Sequence, residues 1–201
     1  MIEAVVLDLG NVVIIWDPHP AIAAGVGADE ATRLLTADDF DFWAWNHLLD
    51  SGVPVAEAEQ QVARTHPHWY PHVVAYREHF DRSLLGAIDG SVSVVEELVA
   101  AGIPLFGLTN WPGELFPVAR QRFGFLQSFT DIVVSGDEGC AKPDPQIFAI
   151  LADRVGVPLD RCTFSDDRAD NVEAARRAGL DAFVFTDPVQ LRAELVARGL
   201  L

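Results

Sequence analysis

Apolar and polar residues are distributed along this chain in blocks. Five short stretches, residues 4–9, 105–108, 132–135, 163–165 and 182–185, are β-rich and, apart from Thr163-Phe164-Ser165, almost continuously apolar. Unbroken apolar runs of that length suit strands covered on both faces of a parallel sheet. Between or after them, apolar residues recur at helical spacing over 92–101, 114–123, 145–155, 171–178 and 188–198. Punctuation agrees with those limits: Gly102 and Gly179 follow helix ends, and Pro145 stands in a first turn. Strand and helix therefore alternate, which predicts an α/β core with a doubly wound parallel sheet and right-handed crossovers.

One stretch breaks the rhythm. From residue 17 to residue 85 no buried strand is evident, and helical patterns at 30–35, 39–49, 54–65 and 71–84 are separated by Gly, Pro and Asp. The reading is a core of residues 1–16 and 86–201, with a helical cap of residues 17–85 inserted after the first strand. All six histidines lie in the insertion. Residues 66–72, His-Pro-His-Trp-Tyr-Pro-His, invite a metal reading, but the prolines break any helix and leave no i, i+4 histidine pair, so a solvated turn is expected. Gly25-Val26-Gly27 follows no strand and lacks a third glycine, so it is no dinucleotide site.

The formal net charge of −16 argues against nucleic-acid and anionic membrane partners, which require a basic footprint. An anionic substrate would need a metal ion or focused local charge to offset that field. Cys140 and Cys162 are too few for a disulfide framework, and are read as reduced, passive thiols. The chain enters its first strand-like run at once, with no basic leader and no apolar stretch of membrane-spanning length, and a cytoplasmic protein is expected. The sequence carries no sign of an oligomeric state.

Ligands of parallel α/β sheets bind beyond the carboxyl ends of the strands. Those ends present Asp8, Thr109-Asn110, Ser135, Asp166-Asp167 and Thr186-Asp187. Lys142, the single lysine of the chain, follows Ser135 in a loop before a helix start. An ammonium is a compact charge that guanidinium does not replace at a tight site. Taken singly, each residue has a plain alternative as a turn former, a helix cap or a leftover surface charge. Together, adjacent carboxylates near a third repel one another unless a cation joins them, and magnesium is the hard, oxygen-preferring candidate.

Val5-Val6-Leu7-Asp8-Leu9-Gly10-Asn11-Val12, Leu108-Thr109-Asn110, Lys142-Pro143-Asp144-Pro145 and Phe164-Ser165-Asp166-Asp167-Arg168-Ala169-Asp170-Asn171 occur in that order. They resemble the four motifs of the haloacid dehalogenase superfamily, in its branch with a helical cap on a Rossmann-like core. The nearest likeness is to sugar-phosphatase-like members with an Asp-x-Gly-Asn-Val first motif. The resemblance implies a magnesium-dependent phosphatase acting on a small phosphomonoester, a sugar phosphate by preference. Asp8 is then the nucleophile that forms an aspartyl-phosphate, and Lys142 neutralises Asp8 and the phosphoryl group. Thr109 and the Asn110 amide hold phosphate oxygens. Asp167 binds Mg2+ together with Asp8 and the Gly10 carbonyl, while Asp166 and Asn171 support the metal and Lys142. Asp167 is preferred to Asp166 as the main ligand because Asn171 and Ala174-Ala175 then fall at the family's spacings.

One position departs from the pattern. Most phosphatases of the superfamily carry an acid/base aspartate two residues after the nucleophile, where this chain has Gly10. A general acid contributes typically ~10²–10⁴-fold. Asp17 is a candidate substitute. Two alternatives follow: a metal-free 2-haloacid dehalogenase, or a degenerate member that binds phosphate ligands or a protein without turnover. Trp16, Asp17, Phe42, Trp45 and His47 are candidates to line the cap entrance, although aromatic residues at helical spacing more often form the cap's own core, and Trp111 is expected beside the pocket.

Overall fold

The computed structural model describes residues 2–201. In chain order the elements are β1 (Ala4–Leu7), β2 (Ile14–Trp16), α1 (His19–Val26), α2 (Ala28–Leu35), α3 (Phe42–Asp50), α4 (Val55–Thr65) and α5 (Tyr70–Glu78). Then follow β3 (Leu84–Ala87), α6 (Asp89–Ala100), β4 (Leu105–Thr109), α7 (Phe116–Arg122), β5 (Asp131–Val134) and α8 (Ser135–Glu138). The chain continues through α9 (Pro145–Val155), β6 (Cys162–Asp166), α10 (Ala169–Ala178), β7 (Asp181–Val184) and α11 (Pro188–Ala197).

Five strands form one parallel sheet in the order β5-β4-β1-β6-β7. The apolar runs are explained by cover on both faces. Val5 and Leu7 point into one cluster with Val94 and Leu98 of α6 and Leu191 and Leu195 of α11. Ala4 and Val6 point into the other, with Ile147 and Leu151 of α9 and Val172 and Ala175 of α10. The chain builds outward from β1 to β4 and β5, then returns to β6 on the opposite side of β1. That reversal opens a crevice at the carboxyl end of β1, where doubly wound sheets bind ligands.

Beyond β1 the chain turns sharply. The Leu9 carbonyl accepts from the amides of Val13 (3.0 Å) and Ile14 (2.9 Å). Asn11 adopts φ 54°, and its side chain accepts from the Trp16 amide at 3.1 Å. Asparagine tolerates this left-handed conformation better than most residues. The turn delivers β2, which pairs antiparallel with β3 in a small second sheet. Helices α1–α5 lie between these two strands in the chain.

The expected helices are all present, with shifted limits. Helix α6 starts at Asp89, three residues before the periodic run, and α7 is shorter than expected at both ends. The pattern at 71–84 splits into α5 and a 3-10 turn at Phe80–Ser83. Three features were not expected from the sequence: the β2–β3 pair, α1 and the short α8. Glycine at positions 25 and 27 disguised α1, yet Gly25 is a packing device, because a Cβ there would stand 2.5 Å from the Ala75 Cβ of α5. No helix among the described residues is long and apolar enough to cross a membrane.

Candidate active site

Asp8 follows β1 at the crevice and is 7% exposed. Its Oδ1 accepts from the Leu9 amide at 2.7 Å and lies 3.0 Å from Lys142 Nζ. The ammonium also donates to Asp166 Oδ2 at 2.6 Å and to the Leu108 carbonyl at 2.7 Å. All three directions of the –NH3+ group are thereby used, and its fourth neighbour is the Phe164 ring, with Nζ 5.5 Å from the centroid. The backbone that carries Lys142 is held too. The Asn110 side chain accepts from the Lys142 amide at 2.8 Å and donates to the Lys142 carbonyl at 2.9 Å. This reciprocal pair ties the tip of β4 to the loop before α9, so the lone lysine sits at a built position.

The neighbouring carboxylates divide their work. Asp166, fully buried at the end of β6, accepts at Oδ1 from the Arg168 amide (2.8 Å) and at both oxygens from Asn171 Nδ2 (3.0 and 3.1 Å), besides Lys142. Asp167 is exposed and lines the cavity. Carboxylate oxygens of Asp8, Asp166 and Asp167 come within 4.8 Å of one another. Burial, opposed by Lys142 and assisted by Asp166 and Asp167, raises the Asp8 carboxyl from 3.8 to about 7. Although Asp167 is open to solvent, partial desolvation at the cavity wall, followed by repulsion from Asp166, also raises its carboxyl. For Lys142, burial works against the charged form, but Asp166 and Asp8 outweigh it and the ammonium is held above the ordinary lysine value.

A cavity of about 590 Å³ opens above these groups. From the sheet side it is lined by Asp8, Gly10, Asn110, Lys142, Asp167 and Asn171, and from the inserted helices by Trp43, Asn46, His47, Asp50 and Tyr76. Thr109 sits beneath the floor, 1% exposed, and its Oγ1 has no hydrogen-bond partner. Trp111 lines the cavity as expected, as do Trp16 and His47. Phe42 and Trp45 do not: they are buried against Tyr76, with ring centroids 5.3 and 6.1 Å away. Asp17 is likewise off the cavity, and its Oδ1 accepts from the His19 amide at 2.9 Å.

The expected solvated turn at 66–72 is only partly found, because Pro71 stands in the first turn of α5 and His72 is buried there; the histidines engage carboxylates individually, His68 with Asp39 at 2.9 Å and His72 with Glu30 at 3.2 Å. Among the described residues the acidic group of Asp8, Asp166 and Asp167 is the metal-capable cluster. Both cysteines are buried, and burial raises each thiol, Cys162 to about 11. Neither has the low pKa of a reactive thiolate.

Asp50 was missed by the sequence reading. It closes α3 at 8% exposure, with Oδ2 accepting from Asn46 Nδ2 at 3.1 Å and Oδ1 without a partner. The available signal was the polar pair 46 and 50, one turn apart on the stripe that also carries Phe42 and Leu49.

A family profile described as haloacid dehalogenase-like hydrolase matches residues 2–179. Phosphatase MT3486 of Mycobacterium tuberculosis is 36% identical over 105 residues, covering 51% of this chain and 48% of the relative. The 6-phosphogluconate phosphatase of Escherichia coli is 29% identical over 142 residues, covering 70% and 59%. This chain thus spans about half the length of the curated relatives it matches. Among solved structures, a HAD-family enzyme of Bacteroides thetaiotaomicron crystallised with magnesium and inorganic phosphate superposes with a TM-score of 0.70 at 16% identity, covering 93% of this chain and 95% of that one. The match over most of the sequence, the shared fold and the crevice built on Asp8 agree, and the chain belongs to the haloacid dehalogenase-like hydrolases.

Proposed function

We propose that the protein is a magnesium-dependent phosphatase that hydrolyses a small phosphomonoester, a sugar phosphate by preference, through an aspartyl-phosphate on Asp8. The observation that carries the reading is Lys142: a buried ammonium shared between Asp8 and Asp166, on the floor of a cavity large enough for a small metabolite. Pure binding would need no carboxylate held at such an orientation.

In this reading Asp8 attacks phosphorus, and the single difficult displacement is split into two easier ones. Lys142 fixes the attacking carboxylate and offsets the charge brought by the phosphoryl group. Thr109, whose hydroxyl has no partner, and the Asn110 amide supply donors for phosphate oxygens. Magnesium fits the donor set, since three carboxylates converge and such hard oxygen ligands suit it. Asp8, Asp167 and the Gly10 carbonyl would hold it, with Asp166 and Asn171 in support, because the oxygens of Asp166 are already engaged. When bound, the ion would neutralise charge on the transferring phosphoryl group.

Residues 17–85 act as a cap that shields the reaction from water and selects the substrate, given the side chains α3 and α5 present to the cavity. Buried free thiols fit a reducing compartment, and we place the enzyme in the cytoplasm. A metal-free 2-haloacid dehalogenase is the weaker reading, because Asp167 would then repel an anionic substrate without compensation. The test is release of phosphate from a panel of phosphorylated metabolites with magnesium or chelator, and of chloride from 2-chloropropionate. Chelator-sensitive phosphate release is expected. Chelator-resistant chloride release without phosphate release contradicts it.

A further inference from the structure

We propose that Asp50, carried by the inserted helix α3, is the general acid and base of the reaction, replacing the carboxyl that Gly10 lacks. The inference rests on the phosphatase reading. Four carboxyls line the cavity: Asp8, Asp41, Asp50 and Asp167. Asp8 is engaged with Lys142, Asp41 caps α3 by accepting from the Ala44 amide at 3.0 Å, and Asp167 belongs to the acidic cluster. Asp50 alone of the four has a buried carboxylate oxygen that no donor satisfies.

Nothing in the fold accounts for a carboxyl there. It closes a helix, where the dipole disfavours negative charge, and no cation is bonded to it. Burial first, then the charge of Asp8, raise it from 3.8 to about 7, so that its neutral form persists near neutrality. Tyr76 from α5, Lys142 and Asp8 are the other ionisable groups that act on it or feel it. Its place is fixed by a tight contact just beyond the helix. Gly52, at φ +90°, lies so close to the loop before Lys142 that an added Cβ would stand 2.8 Å from the Gly139 Cα. Asp50 thus lines the cavity from α3 while Asp8 lines it from the end of β1, and in this proposal the leaving-group oxygen is held between the two.

The chemistry balances. As the Asp8 oxygen–phosphorus bond forms, the bond to the leaving oxygen breaks, and that oxygen takes the bond pair and the Asp50 proton to leave as an alcohol. Water then adds to phosphorus, its proton returns to Asp50, and the Asp8–phosphorus bond breaks. The sum is ester plus water to alcohol plus phosphate.

Asp50→Asn is the test, with phenyl phosphate and 4-nitrophenyl phosphate as substrates of poor and good leaving groups, in magnesium. The expected loss in kcat/KM on phenyl phosphate is ~10²-fold or more, and less than about tenfold on 4-nitrophenyl phosphate, which departs without a proton. Rapid quench should show acyl-phosphate accumulating in the variant, because its hydrolysis has lost a base. A Cβ at Gly10 meets nothing within 4 Å, so Gly10→Asp added to Asp50→Asn should restore phenyl phosphate turnover. Equal losses on both esters, or none on either, overturn the proposal while leaving the phosphatase reading intact. If the variant fails to fold, the wild-type dependence on leaving group decides: a shallow dependence supports the acid and a steep one overturns it. A wild type inert to both esters overturns the phosphatase reading and this inference with it.

Discussion

Lys142 Nζ stands 3.0 Å from Asp8 and 2.6 Å from Asp166, so one ammonium holds together the tips of two adjacent strands. The pair to Asp166 is inaccessible to solvent, while Asp8 keeps a face toward the cavity. Lysine is therefore both a structural clamp and the charge that orients the candidate nucleophile.

Removing the clamp should be costly. Lys142→Ala leaves two buried carboxyls without their cation, which typically destabilises by about 3–5 kcal/mol. Arginine should not rescue it, because a planar fork cannot reach the Leu108 carbonyl, Asp8 and Asp166 together from the same position. Denaturant unfolding of wild type, Lys142→Ala and Lys142→Arg checks both statements.

Asp166 and Asp167 should separate cleanly. Asp166→Ala deletes the acceptor for Lys142, Asn171 and the Arg168 amide and should lower stability. Asp167→Ala should leave stability nearly unchanged, since the side chain is exposed, yet raise the magnesium needed for half-maximal phosphate release by at least about tenfold. Magnesium titrations alongside thermal melts distinguish them; the reversed pattern would assign the metal to Asp166.

Asp50 should cost the protein stability, with a definite pH dependence. Its carboxyl is raised from 3.8 to about 7 in the folded state, so the folded chain binds more protons than the unfolded chain between those values. Stability from this group is fully present below pH 3.8 and is lost as pH rises toward about 7. Asp50→Asn, which keeps an acceptor for Asn46, should therefore be more stable than wild type at pH 8, by on the order of 2–4 kcal/mol. The difference should shrink as pH falls toward 4. A gain that does not vary with pH contradicts the assignment.

The core was legible because its strands are buried on both faces, and such strands write unbroken apolar runs. Strands β2 and β3 were not recognised, although residues 12–16, Val-Val-Ile-Ile-Trp, form an unbroken apolar run. They are short, Ile15 and Leu85 are 40% and 49% exposed, and their pairing spans the whole helical insertion. Residues at strand tips were legible for a topological reason, since doubly wound sheets bring those tips to one crevice. Asp50 was not, because it reaches the cavity from a helix whose docking depends on the Gly52–Gly139 approach, a contact between segments far apart in the chain. Phe42 and Trp45 took the alternative favoured for aromatics at helical spacing, a place in the buried stripe, because that spacing marks a buried face without saying which part of it borders a cavity.

Asp8→Asn should abolish turnover, by at least about 10³-fold, with the fold preserved, because burial already disfavours the charge that the substitution removes. Phosphate release and circular dichroism on the same preparation check this.

The most direct measurement is acid quench of the wild-type protein during turnover of 4-nitrophenyl phosphate, followed by mass spectrometry of the peptide that contains residue 8. A magnesium-dependent, hydroxylamine-labile phosphate on Asp8, absent from Asp8→Asn, is the predicted result. Steady phosphate release with no label on that peptide, at quench times shorter than one turnover, would contradict it.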